Sequence, residues 1–444
     1  MRRSENGVLE TTLRARRTSG LIAGQMITSA LYDGLFPGPT LRVRQGDRLR
    51  INLVNELERP TNIHFHGGHV SPSGNGDNIF VHVEPEETFT YQYDLPANHR
   101  SGLNWYHPHA HGSNEDQVFG GMAGALIVEG EIDAHPAIAG LQERLLFLQN
   151  PSIARDGRTY NVDEAHNAGV TETRSARTIN GRLRPTLSLK PGETQRWRIA
   201  NASANTFFQL SLEGHQFHLI ARDGNPMTRV QTLDELLMGP GQRREVLVQG
   251  GSAGSYLLKT LEFKWGFETD PEAVIGHVEV AGTPQEPRPL PATLFPTPDL
   301  RGLPVDQTRR FSLTIQQTND PNEPLFLVDG RAFDADRVDV VTHLDALEEW
   351  TIVNASNDYH PFHIHVNDIQ TIAVNGQPVD NFGYEDTVLV PPNGGTMTMR
   401  TRFEDFTGRY VWHCHILRHE ERGMMQVVEV RPKDGTPLPG GHNH

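Results

Sequence analysis

The segment GRYVWHCHILRHEERGMM, residues 408 to 425, joins a strand-like run to a group of side chains of the types that bind metals. Residues 408 to 412 are rich in aromatic and β-branched side chains, which predicts a strand that ends at the HCH tripeptide. Side chains alternate between the two faces of a strand, so His413 and His415 point one way and Cys414 the other. The segment therefore predicts two sites placed back to back, with a few covalent bonds between them along which electrons can pass.

The strand part of this segment has two counterparts, GLNWYHPH at 102 to 109 and GSYLLKTL at 254 to 261. A longer repeat precedes each copy, at residues 37 to 67, 179 to 215 and 328 to 365. Short alternating apolar runs, separated by Gly, Pro, Asn and Asp, continue from end to end. Three copies of one unit predict an all-β chain of three similar β-sandwich domains.

A proline-rich stretch separates the second and third predicted domains, whereas the boundary between the first and second is less sharply marked in the sequence. Residues 283 to 304 read TPQEPRPLPATLFPTPDLRGLP, which is typical of a linker. We place the first domain at residues 1–135, the second at 136–285, the linker at 286–304 and the third at 305–444.

Composition argues against several classes of function. The chain has 444 residues, of which 40 are basic and 55 acidic, and its net charge of −15 without any block of like charge disfavours a nucleic-acid partner. No apolar run approaches ~18 residues, so no membrane span is expected. The single cysteine excludes an intramolecular disulfide, and its thiol therefore needs another reason to exist.

The N-terminal segment lacks the continuous apolar core of a signal peptide. We expect a periplasmic or extracellular protein whose export signal has been removed, with a cytoplasmic location as the alternative.

Ten of the 22 histidines lie in four short windows of the first and third repeats. Eight of them form His-x-His pairs, each on one strand face: His64 with His66, His107 with His109, His363 with His365, and His413 with His415. Such clustering is hard to explain by core packing, and eight converging imidazoles suit three metal ions. The middle repeat has Leu258, Lys259 and Thr260 at the corresponding positions, so we expect it to bind no metal and to act as a spacer.

The candidate ligands outside the four His-x-His pairs indicate one copper ion of the blue type. Such a site uses two imidazoles, one thiolate and a weak axial thioether, because these donors suit the softness of copper. Cys414, His419 and Met424 provide three of the four donors. His360 lies three residues before His363, an odd offset that turns it away from the cluster, and it provides the second imidazole. Since the ligands come from the first and third domains of one chain, we expect these domains to touch and the protein to be a monomer.

The segments HFHG (64 to 67), WYHPH (105 to 109), HPFHIH (360 to 365) and HCHILRHEERGM (413 to 424) resemble, in this order, the motifs of three-domain multicopper oxidases of the bacterial laccase class. The resemblance covers nearly the whole chain. It implies three tandem cupredoxin-like Greek-key β-sandwich domains and four copper ions, of which one is mononuclear and three form a trinuclear cluster.

The resemblance also implies which residue binds which ion. The mononuclear copper would be bound by His360, Cys414, His419 and Met424. The lone ion of the cluster would be bound by His64 and His363. The coupled pair would be bound by two sets of three: His66, His107 and His415 for one ion, and His109, His365 and His413 for the other.

The family reaction implies further roles. Such enzymes oxidise a reducing substrate by one electron at the blue copper and reduce O2 to water with four electrons at the cluster. By resemblance, His419 forms the floor of the substrate site and Glu420 relays protons. Asp77 is the candidate for a second relay acid, although the SPSGNGD segment (71 to 77) shifts it from the usual spacing; the alternative is an ordinary turn residue.

The substrate is left open by the sequence. Oxidation of phenols and aromatic amines is the favoured interpretation, oxidation of cuprous or manganous ions is the alternative, and bilirubin oxidation is a property that some relatives share. Cuprous oxidases usually carry a Met-rich insertion near the blue site, whereas residues 366 to 412 contain only Met397 and Met399. A copper-binding structural protein is disfavoured, because structural relatives have lost their ligands and here every ligand position is filled.

Three further histidines are interpreted as residues that do not bind the predicted copper ions. His111 continues the WYHPHAH pattern, but only two positions of that segment align with His413 and His415, so we interpret His111 as a residue outside the metal sites. His442 and His444 are interpreted as a solvated tail.

Overall fold

Strands make up most of the regular structure in residues 1–160, 173–320 and 323–438, which are the parts of the chain that the computed structural model describes. His442 and His444 lie outside these residues. The strands form three two-sheet sandwiches in chain order. Short helices occur at α1 (Asn114–Gly120), α2 (Glu131–Ala134) and α3 (Leu417–Glu421), with a 3-10 turn at Leu300–Gly302.

The first sandwich packs a five-stranded sheet, in the order β1-β4-β9-β8-β6, against a four-stranded sheet in the order β3-β2-β5-β7. Its strands are β1 (Arg2–Arg3), β2 (Val8–Ile22), β3 (Gln25–Tyr32), β4 (Leu41–Arg44), β5 (Arg48–Glu56), β6 (His64–His66), β7 (Thr88–Asp94), β8 (Gly102–His107) and β9 (Gly124–Glu129).

The second sandwich has a six-stranded sheet, β13-β10-β15-β20-β17-β18, and a five-stranded sheet, β14-β24-β21-β16-β19. Its strands are β10 (Gln142–Gln149), β11 (Ser152–Ala154), β12 (Thr173–Ser175), β13 (Thr178–Ile179), β14 (Thr186–Leu189), β15 (Thr194–Asn201), β16 (Phe208–Leu212), β17 (Phe217–Arg222), β18 (Asn225–Leu233), β19 (Glu235–Met238), β20 (Arg243–Gln249), β21 (Gly254–Leu261), β22 (Phe263–Lys264), β23 (Thr269–Asp270) and β24 (Ala273–Val280). Strands β11 and β12, and strands β22 and β23, form separate two-stranded ribbons.

The third sandwich has a six-stranded sheet, β26-β25-β28-β33-β30-β31, and a five-stranded sheet, β27-β35-β34-β29-β32. Its strands are β25 (Gln307–Gln316), β26 (Leu325–Val328), β27 (Val338–His343), β28 (Leu347–Asn354), β29 (His360–Ile364), β30 (Ile369–Val374), β31 (Gln377–Pro378), β32 (Thr387–Val390), β33 (Gly395–Arg402), β34 (Gly408–Cys414) and β35 (Met425–Arg431).

Two parallel strand pairings recur in every sandwich and give the repeats a common topology. The first strand of one sheet runs parallel to its central partner in the pairs β2 with β5, β10 with β15 and β25 with β28. The other sheet has the parallel pairs β4 with β9, β14 with β24 and β27 with β35. The three repeated sequence units therefore fold into three similar sandwiches, as predicted.

Alternating burial builds a separate core in each sandwich. Buried and less buried residues alternate along β5 and along β33, which is the pattern of a sheet with one covered face. The fully buried Trp197 and Trp350 occupy the cores of the second and third sandwiches. Met397 and Met399 lie in β33 with their side chains buried in the third core.

Apolar and charged contacts join the first two sandwiches. Leu103 and Trp105 of β8 pack against Phe147 of β10 in one buried cluster. The amide of Leu103 donates to the Glu245 carboxylate at 2.7 Å, and Glu245 also accepts from Arg198 at 2.7 Å.

The predicted linker is held against the second sandwich. The Leu294 amide donates to the carbonyl of Thr228 at 2.9 Å, and the Phe295 amide donates to the carbonyl of Met227 at 3.1 Å. The predicted limits at residues 135, 285 and 304 fall between strands, and the domain boundaries stay predictions.

Trp350→Ala is expected to destabilise the third sandwich by about 3–5 kcal/mol, because the change leaves a large cavity beside Phe311 and Trp412. It also removes the indole N–H that donates to Glu348 at 2.7 Å. Thermal unfolding of the purified protein in the presence of a chelator should show a midpoint lower by several degrees. Phe267→Ala, at a side chain 77% exposed, is the control and should change stability by less than about 0.5 kcal/mol. Equal midpoints for the two variants would contradict this account of the core.

Candidate metal centre

The four His-x-His pairs lie on adjacent strands of the first and third sandwiches or continue directly past their ends, as His109, His365 and His415 do. Strands β6 and β8 are antiparallel neighbours with His64 opposite His107, and β29 and β34 are antiparallel neighbours with His363 opposite His413. All eight imidazoles are buried, with at most 2% of any of these residues exposed. The period-two strand geometry thus aims eight rings from two domains into one interior space.

Rings from the two domains interleave. The rings of His66 and His363 stack with centroids 3.7 Å apart, and those of His64 and His365 stack with centroids 3.8 Å apart. The Nε2 atoms of His109 and His413 are 3.2 Å apart. The two domains therefore touch through the histidines themselves, as the sequence predicts.

Donor atoms group in threes. Among the described residues, histidine sets with donor atoms within 4.8 Å of one another are His64, His363 and His365; His64, His66 and His107; and His109, His365 and His413. The last set is the one that the resemblance allots to one ion of the coupled pair. His415 joins through His66, because its Nε2 lies 3.1 Å from His66 Nδ1. The structure brings all eight together, and the assignment of single histidines to single ions stays a prediction.

The chemistry of these side chains fits metal ions. Among the residues that the structure describes, five buried ring nitrogens have no hydrogen-bond partner: Nε2 of His64, His107 and His363, and Nδ1 of His365 and His415. Burial, followed by the charges of neighbouring imidazoles, holds the pKa of His64 well below its usual range. A neutral imidazole is the form that binds a metal, and an unpartnered buried lone pair is costly unless a cation accepts it.

A second group of donors lies on the opposite face of β34. His360 Nδ1 is 3.4 Å from Cys414 Sγ, His419 Nδ1 is 3.6 Å from Sγ, and the two Nδ1 atoms are 3.2 Å apart. Two nitrogens about 2.0–2.1 Å and one sulfur about 2.3 Å from a single ion, at angles of about 109–120°, would be about 3.3–3.8 Å apart. The two N–S distances lie at or near this range and the N–N distance lies just below it, so the donors can surround one small metal ion. The odd offset of His360 does turn it away from the histidine cluster.

The thiol of Cys414 is 1% exposed, and burial raises its pKa above the usual range. A bound cation is therefore what would convert this thiol to a thiolate. Met424 is fully buried on the same turn, where its amide donates to the His419 carbonyl at 2.9 Å. The axial role of its sulfur stays a prediction.

Partners outside the ligand set hold the rings in place. Ser356 Oγ lies 2.7 Å from His360 Nε2, so the Nδ1 edge of that ring faces Cys414. Phe326 stacks on His419 with ring centroids 4.1 Å apart. The sequence offered no signal for either residue, because both come from loops or strands without a motif.

The two predicted acids both contact the histidine cluster. Glu420 Oε2 lies 3.0 Å from His413 Nδ1, and Asn114 donates to Oε1 at 2.6 Å. Burial acts to raise the pKa of Glu420. The charges of His109 and His413 lower it by more, so that the pKa falls from its usual value to about 2.

Asp77 is 1% exposed, and its Oδ2 lies 2.8 Å from His64 Nδ1. Its other oxygen accepts from the amide of Phe65 at 2.8 Å. Burial raises the pKa of Asp77 to about 8 against the lowering effect of that amide. Asp77 therefore contacts a candidate ligand, and its role as a relay acid stays a prediction.

Sequence reasoning missed Asp386, Thr387 and Arg243. Asp386 Oδ1 lies 3.3 Å from His66 Nε2 and 3.4 Å from His363 Nδ1. Arg243, in the second sandwich, is fully buried and pairs with both oxygens of Asp386. Neither residue belongs to a histidine motif, so only the tertiary structure relates them to the site.

A cavity of about 590 Å³ leads toward the histidine cluster, and His109 contributes to its wall. Phe80, Phe333 and His111 also line it. His111 is exposed and lies outside the sets of metal-binding histidines found among the described residues, with its ring 5.1 Å from that of Phe333.

Family models, all described as multicopper oxidase, match the chain in three consecutive stretches. They cover residues 15–132, 154–274 and 303–434. The chain belongs to the multicopper oxidase family.

Relatives of this oxidase extend over almost all of its length. It is 28% identical to a multicopper oxidase of Staphylococcus epidermidis, over 97% of this chain and 90% of that protein. It is 24% identical to a laccase of Bacillus subtilis, over 90% of this chain and 89% of that protein. A solved multicopper oxidase of Campylobacter jejuni, described as a metallo-oxidase, has a TM-score of 0.85 at 26% identity and covers 96% of this chain and 92% of its own.

Membership in the family confirms the predicted fold and general chemistry. This multicopper oxidase is a copper-binding oxidoreductase, and its fold is all-β with three tandem cupredoxin-like domains, as predicted. Among the described residues, no helix is long and apolar enough to cross a bilayer. The number of copper ions, the compartment and the monomeric state stay predictions.

Cys414→Ser is expected to bind about one copper fewer than the parent and to lose the intense thiolate-to-copper absorption, because the sulfur is the soft donor of its site. The histidine cluster should still load, since its donors lie on the other face of β34. Elemental analysis and visible spectra of the copper-loaded proteins test this. A blue variant, or one that has lost all copper while folded, would contradict the assignment of two separate sites.

Proposed function

We propose that this multicopper oxidase couples the one-electron oxidation of phenols or aromatic amines to the four-electron reduction of O2 to water. Four substrate oxidations supply four electrons, and these combine with four protons and one O2 to give two waters. Bound copper would supply the redox chemistry, with one ion held by His360, Cys414 and His419 and three held by the eight-histidine cluster.

The observation that carries this proposal is the position of Cys414 between His413 and His415. The thiol faces one donor set while its two neighbours face the other, so the two sites are joined by a few covalent bonds. Histidine clustering by itself would fit a binding or storage protein. A direct connection between a thiolate site and an imidazole cluster is what favours electron transfer.

Glu420 and Asp77 are placed to serve the oxygen-reducing side. Each is buried and contacts a cluster histidine: Glu420 lies beside His413 and His109, and Asp77 beside His64. A carboxyl in such a position can hold a proton close to the reacting oxygen and pass it on. We propose Glu420 as the main relay and Asp77 as the second acid.

The cavity that reaches His109 supports the proposal from a different direction. Water-sized and dioxygen-sized molecules need a route to a buried cluster, and this cavity opens between the first and third sandwiches. Its position keeps the oxygen side apart from the His419 side, where the organic substrate would donate electrons.

Glu420→Gln should slow reoxidation of the reduced enzyme by O2 by about tenfold or more, while reduction of the blue copper by a phenol stays nearly unchanged. The physical reason is that an amide keeps the shape beside His413 but cannot deliver a proton. Stopped-flow measurement of the blue band during anaerobic reduction, and again on mixing with O2, separates the two steps.

Glu421→Gln is the matched control, since Glu421 is the next residue and its carboxylate accepts from the amide of Gly112 instead. A loss of reoxidation rate that is equal in both variants, or equal effects on both steps in Glu420→Gln, would remove the relay role.

Oxidation of metal ions is the second candidate function. It is favoured by an acidic side chain, Glu268, in the turn of the β22–β23 hairpin. This turn lies against the residues just before His360, because the amide of Phe267 donates to Asp358 at 3.0 Å. This function is disfavoured by Met397 and Met399, whose side chains are buried and so unavailable to a cuprous ion at the surface.

Oxygen uptake by the copper-loaded enzyme should be faster with a dimethoxyphenol than with cuprous or manganous ions, with Cys414→Ser as the blank. Glu268→Gln separates the two functions, because loss of a carboxylate should raise KM for a metal cation and leave KM for the neutral phenol unchanged. A strong preference for the metal ion, together with that rise in KM, would replace the phenol assignment by a metal-ion oxidase.

A further inference from the structure

A buried ion pair connects the second sandwich to the histidine cluster. Arg243 begins β20 and its guanidinium donates to both oxygens of Asp386, at 2.7 and 2.6 Å. The side chain of Arg243 is fully buried and that of Asp386 is 3% exposed. Such a two-point pair holds a carboxylate in one orientation.

The held carboxylate contacts one histidine from each copper-binding domain. Asp386 Oδ1 lies 3.3 Å from His66 Nε2 and 3.4 Å from His363 Nδ1. Its main-chain oxygen lies 3.0 Å from the same Nδ1. Asp386 directly precedes β32 in the third domain. Through these contacts it bridges His66 of the first domain and His363 of the third.

Thr387 completes this contact. Its hydroxyl donates to Asp386 Oδ1 at 2.7 Å, which uses its only hydrogen. The same Oγ lies 3.2 Å from His66 Nε2 and 3.1 Å from His363 Nδ1. Both ring nitrogens face acceptors only, so each must carry the hydrogen of its neutral imidazole.

This tautomer has a consequence at the other edge of each ring. With hydrogen on His66 Nε2 and His363 Nδ1, the lone pairs are on His66 Nδ1 and His363 Nε2. His66 Nδ1 is the atom that faces His415 at 3.1 Å, and His363 Nε2 is a buried nitrogen without a hydrogen-bond partner in the described parts of the chain. The lone pairs are thus directed into the cluster.

Asp386 itself groups with His66 and His363 within 4.8 Å, which raises the question of whether it binds a metal directly. Its two oxygens are already occupied by Arg243 and Thr387. The ring atoms that face it are the hydrogen-bearing ones. A carboxylate in this position orients the ligands from behind and does not compete for the ion.

The second sandwich also shapes the surroundings of these rings. Arg243 donates to Asn104 Oδ1 at 3.0 Å and to the Leu103 carbonyl at 3.3 Å, both in the first domain. A Cβ on Gly67, directly after His66, would lie 2.3 Å from the Arg243 guanidinium and 2.2 Å from Asn104. The close approach of Asn104 and Arg243, together with a φ of 89°, therefore favours glycine at this position of the HFHG motif.

We propose that Arg243 is a positioning residue of the copper cluster: acting through Asp386 and Thr387, it sets the tautomer and direction of His66 and His363. The domain predicted to be a spacer thereby controls how tightly the cluster holds copper. This inference rests on the proposed copper cluster, and its test separates the two.

Three variants probe the connection at different points. Thr387→Val keeps the shape of the side chain and removes the acceptor, Arg243→Lys keeps the charge and removes the two-point pair, and Asp386→Asn keeps the shape and removes the charge. Arg198→Lys is the matched control. Arg198 is an equally buried guanidinium of the same domain, and its hydrogen-bond partners among the described residues are the carboxylates of Glu245, Glu143 and Asp133 rather than a cluster histidine or Asp386.

The copper-loaded proteins are dialysed against graded EDTA, and copper per chain, the EPR spectrum and the blue absorption are measured on samples whose circular dichroism shows folded protein. Thr387→Val and Arg243→Lys should lose cluster copper at about 10–100-fold lower EDTA, because removal of a group that orients a ligand weakens metal binding by that factor. The EPR signal of cluster copper should shift, and the blue absorption per chain should stay unchanged. Arg198→Lys should match the parent in all three.

Each other outcome has a definite meaning. If the parent holds no copper beyond the Cys414 site, the proposed function fails and the inference fails with it. If the parent cluster fills and both Thr387→Val and Arg243→Lys match Arg198→Lys, the positioning role is overturned while the proposed function stands. If copper is lost in Asp386→Asn alone, Asp386 is a ligand, and the positioning role is again overturned.

Discussion

The meeting of eight buried imidazoles in one interior space is the constraint on which the rest of the structure depends. Buried ring nitrogens without partners are costly, and five nitrogens of these rings have no hydrogen-bond partner among the described residues. Half of the rings come from β6 and the β8 segment, and half from β29 and the β34 segment. The first and third sandwiches must therefore be docked against each other before the cluster exists.

The second sandwich does more than hold the other two at a distance. Its loop before β20 passes so close to the cluster that a Cβ on Gly241 would lie 2.8 Å from the His415 ring, and the positive φ of 86° there also favours glycine. Arg243 follows two residues later and reaches both neighbouring domains. A polar junction of this kind is specific in geometry, because a buried charge tolerates few alternative arrangements.

The short helix α3 explains how consecutive residues serve different sites. After β34 the chain turns into Leu417–Glu421, and successive helical side chains point in directions about 100° apart. His419 faces Cys414, whereas Glu420 faces His413 and Asn114. The strand separates His413 and His415 from Cys414 by the same principle with a different period. Two local periodicities thus distribute one short segment between the Cys414 site and the eight-histidine cluster.

The sequence by itself determined the all-β class, the three repeated sandwiches and the division of the clustered histidines between the first and third, because strand periodicity dictates which side chains share a face. It also singled out His360, whose odd offset separates it from His363 and His365. Only the tertiary structure decided which residues contact and orient the candidate ligands. Asp386 and Arg243 are 143 positions apart and belong to no motif, so nothing local relates them, and Ser356 and Phe326 reach their histidines through packing alone. Periodicity is a property of a single strand, whereas the direction of a buried lone pair depends on contacts between domains.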